Sequence, residues 1–259
     1  MTRNSPPLGG LPVSSVPPDP MTYCIDLHNH SCLSPCGSDD LLPAVLAMEA
    51  ADRGIDILAL TDHNSTRNLP AFSEACEIVG IEPIFGLEVT TIEEIHVLSL
   101  FGSLQEAMRF GSWIESILPP IRNNARLFGN QLACDVSGQE VEEVQLFLYG
   151  PADISFDDLV EKTLGAGALV IPAHIDRPAN SVTANLGFLP PLPYSAVESI
   201  AIPPTVDTLG HAVIQGSDAH YIGHVGRRRC FIDSPLTGFA AVRDALGRKA
   251  VSYLGTHNS

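Results

Sequence analysis

The residues able to do chemistry gather where short apolar runs end. Asp26-Leu27-His28-Asn29-His30 follows Tyr23-Cys24-Ile25, Thr61-Asp62-His63 follows Ile57-Leu58-Ala59-Leu60, and Gly216-Ser217-Asp218-Ala219-His220 follows Ala212-Val213-Ile214-Gln215. Glu88, His96 and His174 stand in or at the ends of similar runs. Neutral imidazoles and carboxylates are the donors that zinc and related divalent cations take, and catalytic sites of this type keep a coordination position for water. His28, His30, His63, Glu88, His96, His174, Asp218 and His220 exceed the needs of one ion. They suffice for two or three if a carboxylate such as Glu88 bridges. Cations about 3.5–4 Å apart lower the pKa of a shared water to about neutrality and clamp the oxygens of a tetrahedral or in-line transition state. The chemistry implied is ester hydrolysis.

Elements that could hold such donors can be read from the hydrophobic pattern. Tyr23 to Leu27, Ile55 to Leu60, Ile84 to Val89, Ile95 to Phe101, Ala168 to Ala173, Ala196 to Ile202 and Ala212 to Gln215 are short apolar runs that read as strands. Between them, helical spacing covers Leu41 to Met48 (Asp39 or Asp40 as N-cap, Pro43 in the first turn), Pro70 to Val79, Leu104 to Leu118, Phe156 to Leu164 (Ser155 as cap) and Phe239 to Leu246. Ile121 to Phe128 is compatible with a helix, the acidic stretch around Glu140, Glu142 and Glu143 with a helix or an exposed excursion, and residues 178–195 read as loop. Near-continuous apolar strands alternating with helices imply a parallel sheet covered on both faces, and its closure into a barrel explains why reactive residues lie at strand carboxyl ends. Residues two apart on a strand share a face, which sets Asp26, His28 and His30 together and Asp218 with His220.

With 259 residues, 45% hydrophobic and 17% charged, the chain suits one packed barrel domain over residues 21–259. Residues 1–20 hold Pro6, Pro7, Pro12, Pro17, Pro18 and Pro20 without an apolar h-region and read as a flexible leader, not a secretion signal. No run nears the 18 apolar residues that a bilayer span requires, so no membrane role is expected. The net charge of −16 should repel long nucleic acid and leaves small anionic substrates as the expected partners. Cys24, Cys32, Cys36, Cys76, Cys134 and Cys230 are too sparse for a disulfide scaffold, which fits a reducing cytoplasm. Cys32 and Cys36, directly behind the two histidines, could pair, bind metal or fill space.

The ordered series His28-x-His30, Thr61-Asp62-His63, Gly86-x-Glu88, His96, Pro172-Ala173-His174 and Ser217-Asp218-Ala219-His220 resembles the PHP (polymerase and histidinol phosphatase) domain family, in order, over residues 21 to about 225. The resemblance implies an α/β fold, a distorted (β/α)7 barrel with mostly parallel strands, and a cluster of two or three divalent ions (Zn, Mn or Fe). It implies a metal-dependent phosphatase or phosphodiesterase that hydrolyses a small phosphorylated substrate, such as a nucleotide or other metabolite phosphate, by attack of metal-activated hydroxide. His28, His30, Glu88 and Asp218 would hold one ion, Glu88 with His96 and His174 a second, and His63 with His220 a third. Many relatives supply that third ion from further along the first loop, where this chain has Cys36. A thiolate there would favour a softer metal.

Phosphate also needs positive clamps. Arg177 is the first candidate among catalytic residues and Arg227, in the Arg227-Arg228-Arg229 run, the second. Asp26 and Asp62 are expected to orient ligand imidazoles. His211, His224 and His257 read as structural. An amidohydrolase-type barrel is an alternative, but Lys162 and Lys249 do not stand at matched strand ends to bridge metals as a carboxylated lysine would. A non-catalytic, metal-binding regulatory module is the other alternative. Specificity is expected to reside in residues 102–150 and 178–195.

Overall fold

The structure, a computed structural model, describes residues 19–253. The leader expected at residues 1–20 therefore falls almost wholly outside the described residues, as does His257. In chain order the elements are β1 (Met21–Asp26), α1 (Pro43–Asp52), β2 (Ile57–Leu60), α2 (Leu69–Val79), β3 (Glu82–Thr90), β4 (His96–Phe101), α3 (Leu104–Ser116), α4 (Ala125–Phe128), β5 (Leu132–Cys134), β6 (Glu140–Glu143), α5 (Phe156–Gly165), β7 (Leu169–Pro172), α6 (Val182–Leu186), β8 (Val197–Glu198), β9 (Val213–Ile214), β10 (Cys230–Ser234), α7 (Gly238–Arg248) and β11 (Val251–Tyr253).

Seven strands form one sheet in the order β11-β10-β1-β2-β3-β4-β7. The parallel pairs β1/β2 and β2/β3, together with antiparallel pairing on both sides of β4 and β10, leave five strands pointing one way and those two reversed. The sheet curls. Past β7, Ser195 N donates to Val170 O and Ile175 N to Glu198 O; β8 pairs with β9; and Asp218 N donates to His28 O and His30 N to Ala219 O. These bonds carry the curl round to the chain that continues β1, giving the distorted α/β barrel expected from sequence.

The reversal of β4 departs from a purely parallel reading. Only five residues separate β3 from β4, whereas a parallel return needs a crossover of a dozen or more. The two strands pair as a hairpin, with Glu88 opposite Leu98 and Thr90 opposite His96.

Alternation along the strands divides the core. Ile25, Ile57, Ala59, Ile84, Leu98, Leu100 and Ile171 form one buried cluster that α7 joins through Ala241, Val242 and Ala245. Leu58, Leu60, Leu87, Val89 and Val97 face the other way, into a larger cluster with Phe72 of α2 and Phe156 of α5. Period two then places Glu88 on the same side of β3 as Ile84, and His96 on the same side of β4 as Leu98 and Leu100. The reactive groups thus stand above an apolar floor.

Other departures have local causes. The helix admitted over Ile121–Phe128 shrinks to α4, which buries no side chain and so lacks the packing that sustains a short helix. Glu140–Glu143 forms an exposed strand, β6, paired with β5. α1 begins at Pro43 with Leu42 at its N-cap and no side-chain cap, so neither Asp39 nor Asp40 serves, whereas Ser155 does cap α5 by accepting from Asp158 N. The strand expected over Ala196–Ile202 is reduced to β8, the 178–195 loop includes α6, and β10 and β11 were not foreseen.

Gly86 lies on the inner face of β3, where an added Cβ would stand 2.6 Å from Leu100 Cδ2 and 2.8 Å from the Ser99 carbonyl oxygen. Because the second neighbour is backbone, Gly86→Ala should cost about 1–3 kcal/mol by overpacking and lower the melting temperature by several degrees; thermal denaturation followed by circular dichroism checks this, and an unchanged midpoint would show that the β3–β4 contact is looser than described.

Candidate metal centre

Glu88 is the hub of the site. Its carboxylate, buried at the end of β3, has five imidazoles around it: His96 Nδ1 at 2.9 Å, His63 Nδ1 and His174 Nε2 at 3.2 Å, and His28 Nε2 and His30 Nε2 at 3.3 Å. Asp218 Oδ1 is the second focus, 3.4 Å from His30 Nε2 and His220 Nδ1 and 3.6 Å from His28 Nε2. Donor atoms within 4.8 Å of one another fall into three sets: His28, His30 and Asp218; His63, Glu88 and His96; and His30, His63 and His220. All eight sequence-predicted donors converge, although His63 groups with Glu88 and His96 as well as with His220, and His174 joins through Glu88.

Neighbouring groups fix which ring nitrogen faces inward. Glu198 accepts from His28 Nδ1 at 2.9 Å and from the His174 backbone amide at 2.8 Å, so His28 presents Nε2 to the centre. Ser34 Oγ donates to Asp62 Oδ1 and accepts from His30 Nδ1, which turns His30 Nε2 inward in the same way. Asp62 therefore acts on His30 through Ser34 and not by direct contact. Asp26 does not touch an imidazole either: its carboxylate accepts from the Ser217 and Gly226 amides and anchors the loop that carries Asp218. Both corrections have one origin, since the short aspartate side chains at these strand ends meet loop donors before any ring nitrogen.

Backbone geometry contributes too. His174 and Asp218 adopt positive φ, +29° and +47°, a region that side-chain-bearing residues enter only when surroundings impose it. At Gly216 a Cβ would lie 2.3 Å from Glu198 Oε1 and 2.5 Å from His28 Cβ, so the missing side chain makes room for the Glu198–His28 contact.

The electrostatics suit cations. Burial opposes charge on Glu88 and Asp218, yet the surrounding imidazoles hold both carboxylates well below their ordinary range. Burial likewise opposes protonation of His28 and His30, but Glu198, Glu88 and Asp218 override it for His28, and Asp218 and Glu88 raise His30 to about 9. Burial keeps His63 and His96 below the usual imidazole value and, with the His30 charge, takes His220 down to about 3. Burial raises Asp26 to about 6 despite its amide donors, and raises Asp62. His63, His96 and His220 are thus held neutral beside ionised carboxylates, as ligation demands, whereas the carboxylates hold a proton on His28 and His30 that an arriving cation would have to displace.

Several buried polar atoms lack a hydrogen-bond partner: His63 Nδ1, both ring nitrogens of His96, His174 Nδ1, Glu88 Oε2 and Asp218 Oδ1. His96 Nδ1 is close to Glu88 without hydrogen-bond alignment, as expected of lone pairs aimed at a common third point. Buried groups left this way are costly unless a cation or water meets them, and the residues fit divalent ions.

A mouth of about 240 Å³ opens over the donors, lined by Arg177, Arg227, Tyr149, Tyr221, His224 and Cys36 among others. Arg177 Nη1 lies 3.2 Å from Asp218 Oδ2, and Arg227 donates to the Ser217 and Asp218 carbonyls, so both predicted clamps reach the site. His224 lines the mouth instead of being purely structural, while His211 packs on Tyr194. Cys36 is exposed at the rim and belongs to none of the three donor sets; burial in the concave mouth, then Glu88, pushes its thiol upward. Cys32 faces Cys134, with sulfurs 3.7 Å apart, and all six cysteines are free. Lys162 lies over Trp113 on the outer helices, where a hollow of about 1160 Å³ contains none of the converging donors. Glu198, Ser34 and Tyr149 escaped sequence reading; Glu198 ends an apolar strand run and could have been noticed by that rule.

The sequence profile of the PHP domain family matches residues 26–161. The chain is 36% identical over 80 residues to the phosphoribosyl 1,2-cyclic phosphate 1,2-diphosphodiesterase of Eggerthella lenta, covering 29% of each chain. It is 38% identical over 84 residues to a 5'-3' exoribonuclease of Haemophilus influenzae, covering 31% of this chain and 29% of that protein. The aligned parts thus span under a third of either relative. The lesion-specific endonuclease PfuEndoQ from Pyrococcus furiosus shares the fold with a TM-score of 0.63 at 17% identity, covering 90% of this chain and 58% of that one.

Glu198→Gln keeps the volume of the side chain but weakens its hold on His28 Nδ1 and the His174 amide. It should reduce metal affinity by about 10–100-fold, measured by competition with a chromophoric chelator, while circular dichroism stays unchanged; wild-type affinity would show that the two histidines are held by other contacts.

Proposed function

This chain belongs to the PHP domain family, and from that premise we propose that it hydrolyses phosphoesters with the help of two or three divalent ions held by His28, His30, His63, Glu88, His96, His174, Asp218 and His220. The observation that carries the reading is one buried carboxylate ringed by five imidazoles, with unpartnered donor atoms beneath a mouth that holds two arginines. Divalent ions, when bound, acidify water toward neutrality and offset the charge that gathers on phosphoryl oxygens. Zinc, manganese and iron all suit this donor set.

The chain's own residues supply position and polarity. Glu198 and the Asp62–Ser34 pair lock two imidazoles in the orientation that ligation needs. Arg177 and Arg227 present guanidinium groups at the mouth, where forked donors match phosphate oxygens. Six of the eight donors are almost fully buried and Asp218 and His220 are partly so, so charge interactions with substrate act in a medium poorer in water than the surface.

Small phosphorylated metabolites are one substrate class that the reading includes. The exclusion of long nucleic acid argued from net charge does not hold: −16 is a sum over the whole chain, whereas the mouth itself is lined by Arg177 and Arg227. Two of the similar proteins are nucleases by name, so polynucleotide ends join the substrate classes to test. Among the described residues no helix is long and apolar enough to cross a membrane.

The test is hydrolysis of bis(p-nitrophenyl) phosphate and p-nitrophenyl phosphate with Mn²⁺ or Zn²⁺ and with chelator. Activity should require metal, and the double variant His63→Ala/Glu88→Gln should abolish it without loss of fold. Arg177→Met should lower kcat/KM by roughly a hundredfold, as removal of one preorganised charge-stabilising donor does. Turnover retained by the double variant would overturn the assignment.

A further inference from the structure

A line of aromatic rings leads out of the mouth. Tyr149 packs edge-on against His63, with centroids 4.7 Å apart; Phe147 lies 6.4 Å from Tyr149; and Phe128 lies 4.5 Å from Phe147. Exposure rises outward along the line, from the half-buried Tyr149 and Phe147 to Phe128, which is 46% exposed. The far end is tied to the near one: a Cβ on Gly129 would overlap the Pro35 carbonyl oxygen, so the chain just after Phe128 rests on the loop that ends at Cys36 on the rim.

Positive charge lies on the same stretch of chain. A hollow of about 600 Å³ next to α4 is lined by Arg122, Asn123, Asn124 and Arg126, with Glu143 its sole carboxylate. Both arginines are exposed; Arg122 bonds only the neutral Gln145 side chain, and among the described residues neither pairs with a carboxylate. Exposed arginines and an exposed ring on one short segment, whose helix buries no side chain of its own, make poor sense as packing. They make better sense as a surface for a ligand with flat rings and regular negative charges.

We propose that Phe128, Phe147 and Tyr149, with Arg122 and Arg126, form a track for a single-stranded polynucleotide whose terminal phosphoester enters the mouth. Bases stack on the rings, a sequence-tolerant contact because every base has a π-face, and the arginines follow the backbone phosphates. The proposal rests on the phosphoester reading above for what happens at the mouth, but not for the binding itself. It also gives residues 121–149 a role: they carry specificity by reaching along the strand beyond the scissile bond.

Binding and hydrolysis separate the two readings. Fluorescence anisotropy of labelled 12-mer oligo(U) and oligo(dT), in chelator, reads the track alone. The wild-type protein should bind either 12-mer more than tenfold tighter than uridine 5'-monophosphate competes, and with a salt dependence of about −0.7 per neutralised phosphate on logarithmic axes. Phe128→Ala and Arg126→Glu should each weaken 12-mer binding about tenfold, and Phe128→Trp should retain it, while bis(p-nitrophenyl) phosphate hydrolysis and melting temperature stay at wild-type values. The track is overturned if the 12-mers bind no better than the mononucleotide, or if both variants bind them as wild type does. If the 12-mers bind through Phe128 and Arg126 but no phosphoester is cleaved, the hydrolytic reading fails and the track stands.

Discussion

The candidate site depends on the burial of the Glu88 carboxylate among imidazoles drawn from separate strands. An ionised carboxylate taken out of water is costly unless opposing charge meets it, and here five ring nitrogens lie within 3.3 Å. None of those rings lies near Glu88 because of local chain geometry alone. β3 delivers the carboxylate, β4 returns His96 beside it by hairpin, and the ends of β1, β2 and β7 bring the rest. The curl of the sheet brings these strand ends to one mouth, and the apolar cluster beneath, closed by α7, gives the centre a rigid floor.

Precision comes from the layer behind the donors. Glu198 serves two of them at once, one ring and one backbone amide, and Gly216 is small so that this contact can form. Ser34 links Asp62 to His30 and also accepts from the His63 amide, so two donor loops share one hydroxyl. Positive φ at His174 and Asp218 is tolerated because such bonds over-determine the loops. Strain of this kind belongs where geometry matters more than stability.

Charge illustrates why scale matters. The chain as a whole is strongly acidic, and the centre adds two carboxylates to that balance, yet guanidinium groups stand at the mouth and again along the hollow beside α4. At physiological ionic strength exposed charges more than about 8 Å apart are largely screened, so an incoming phosphate senses these groups before it senses the sum. A net-charge argument speaks to solubility and long-range approach, and says little about one concave site.

Much of the site was legible in the sequence because its donors obey a simple rule: a polar residue that ends an apolar strand must sit at the strand's carboxyl end, and in an α/β barrel all such ends share one mouth. That rule, with the motif order, picked out the eight side chains that converge at the mouth, although His96 opens the reversed β4 and does not end a strand; the two arginines were picked out separately, as charge for a phosphate. It also set the α/β class, the alternation of strands and helices, and the Ser155 cap. What it could not supply was contact between groups distant in the chain. Asp26 and Asp62 had the right types and positions, but only folding decided that one would hold the Ser217 and Gly226 amides and the other a serine. Cys32 found Cys134, a hundred and two residues away, and not Cys36 four residues away. The reversal of β4 followed from a short connection, whereas the pairing of β10 with β1 did not, because a strand's partner is chosen by the closure of the sheet. The donor types and their order are thus properties of the chain, fixed by side-chain chemistry and local periodicity; their common focus, their inward-facing nitrogens and the aromatic line at the mouth belong to the tertiary structure, because only long-range hydrogen bonding and burial bring those atoms within reach.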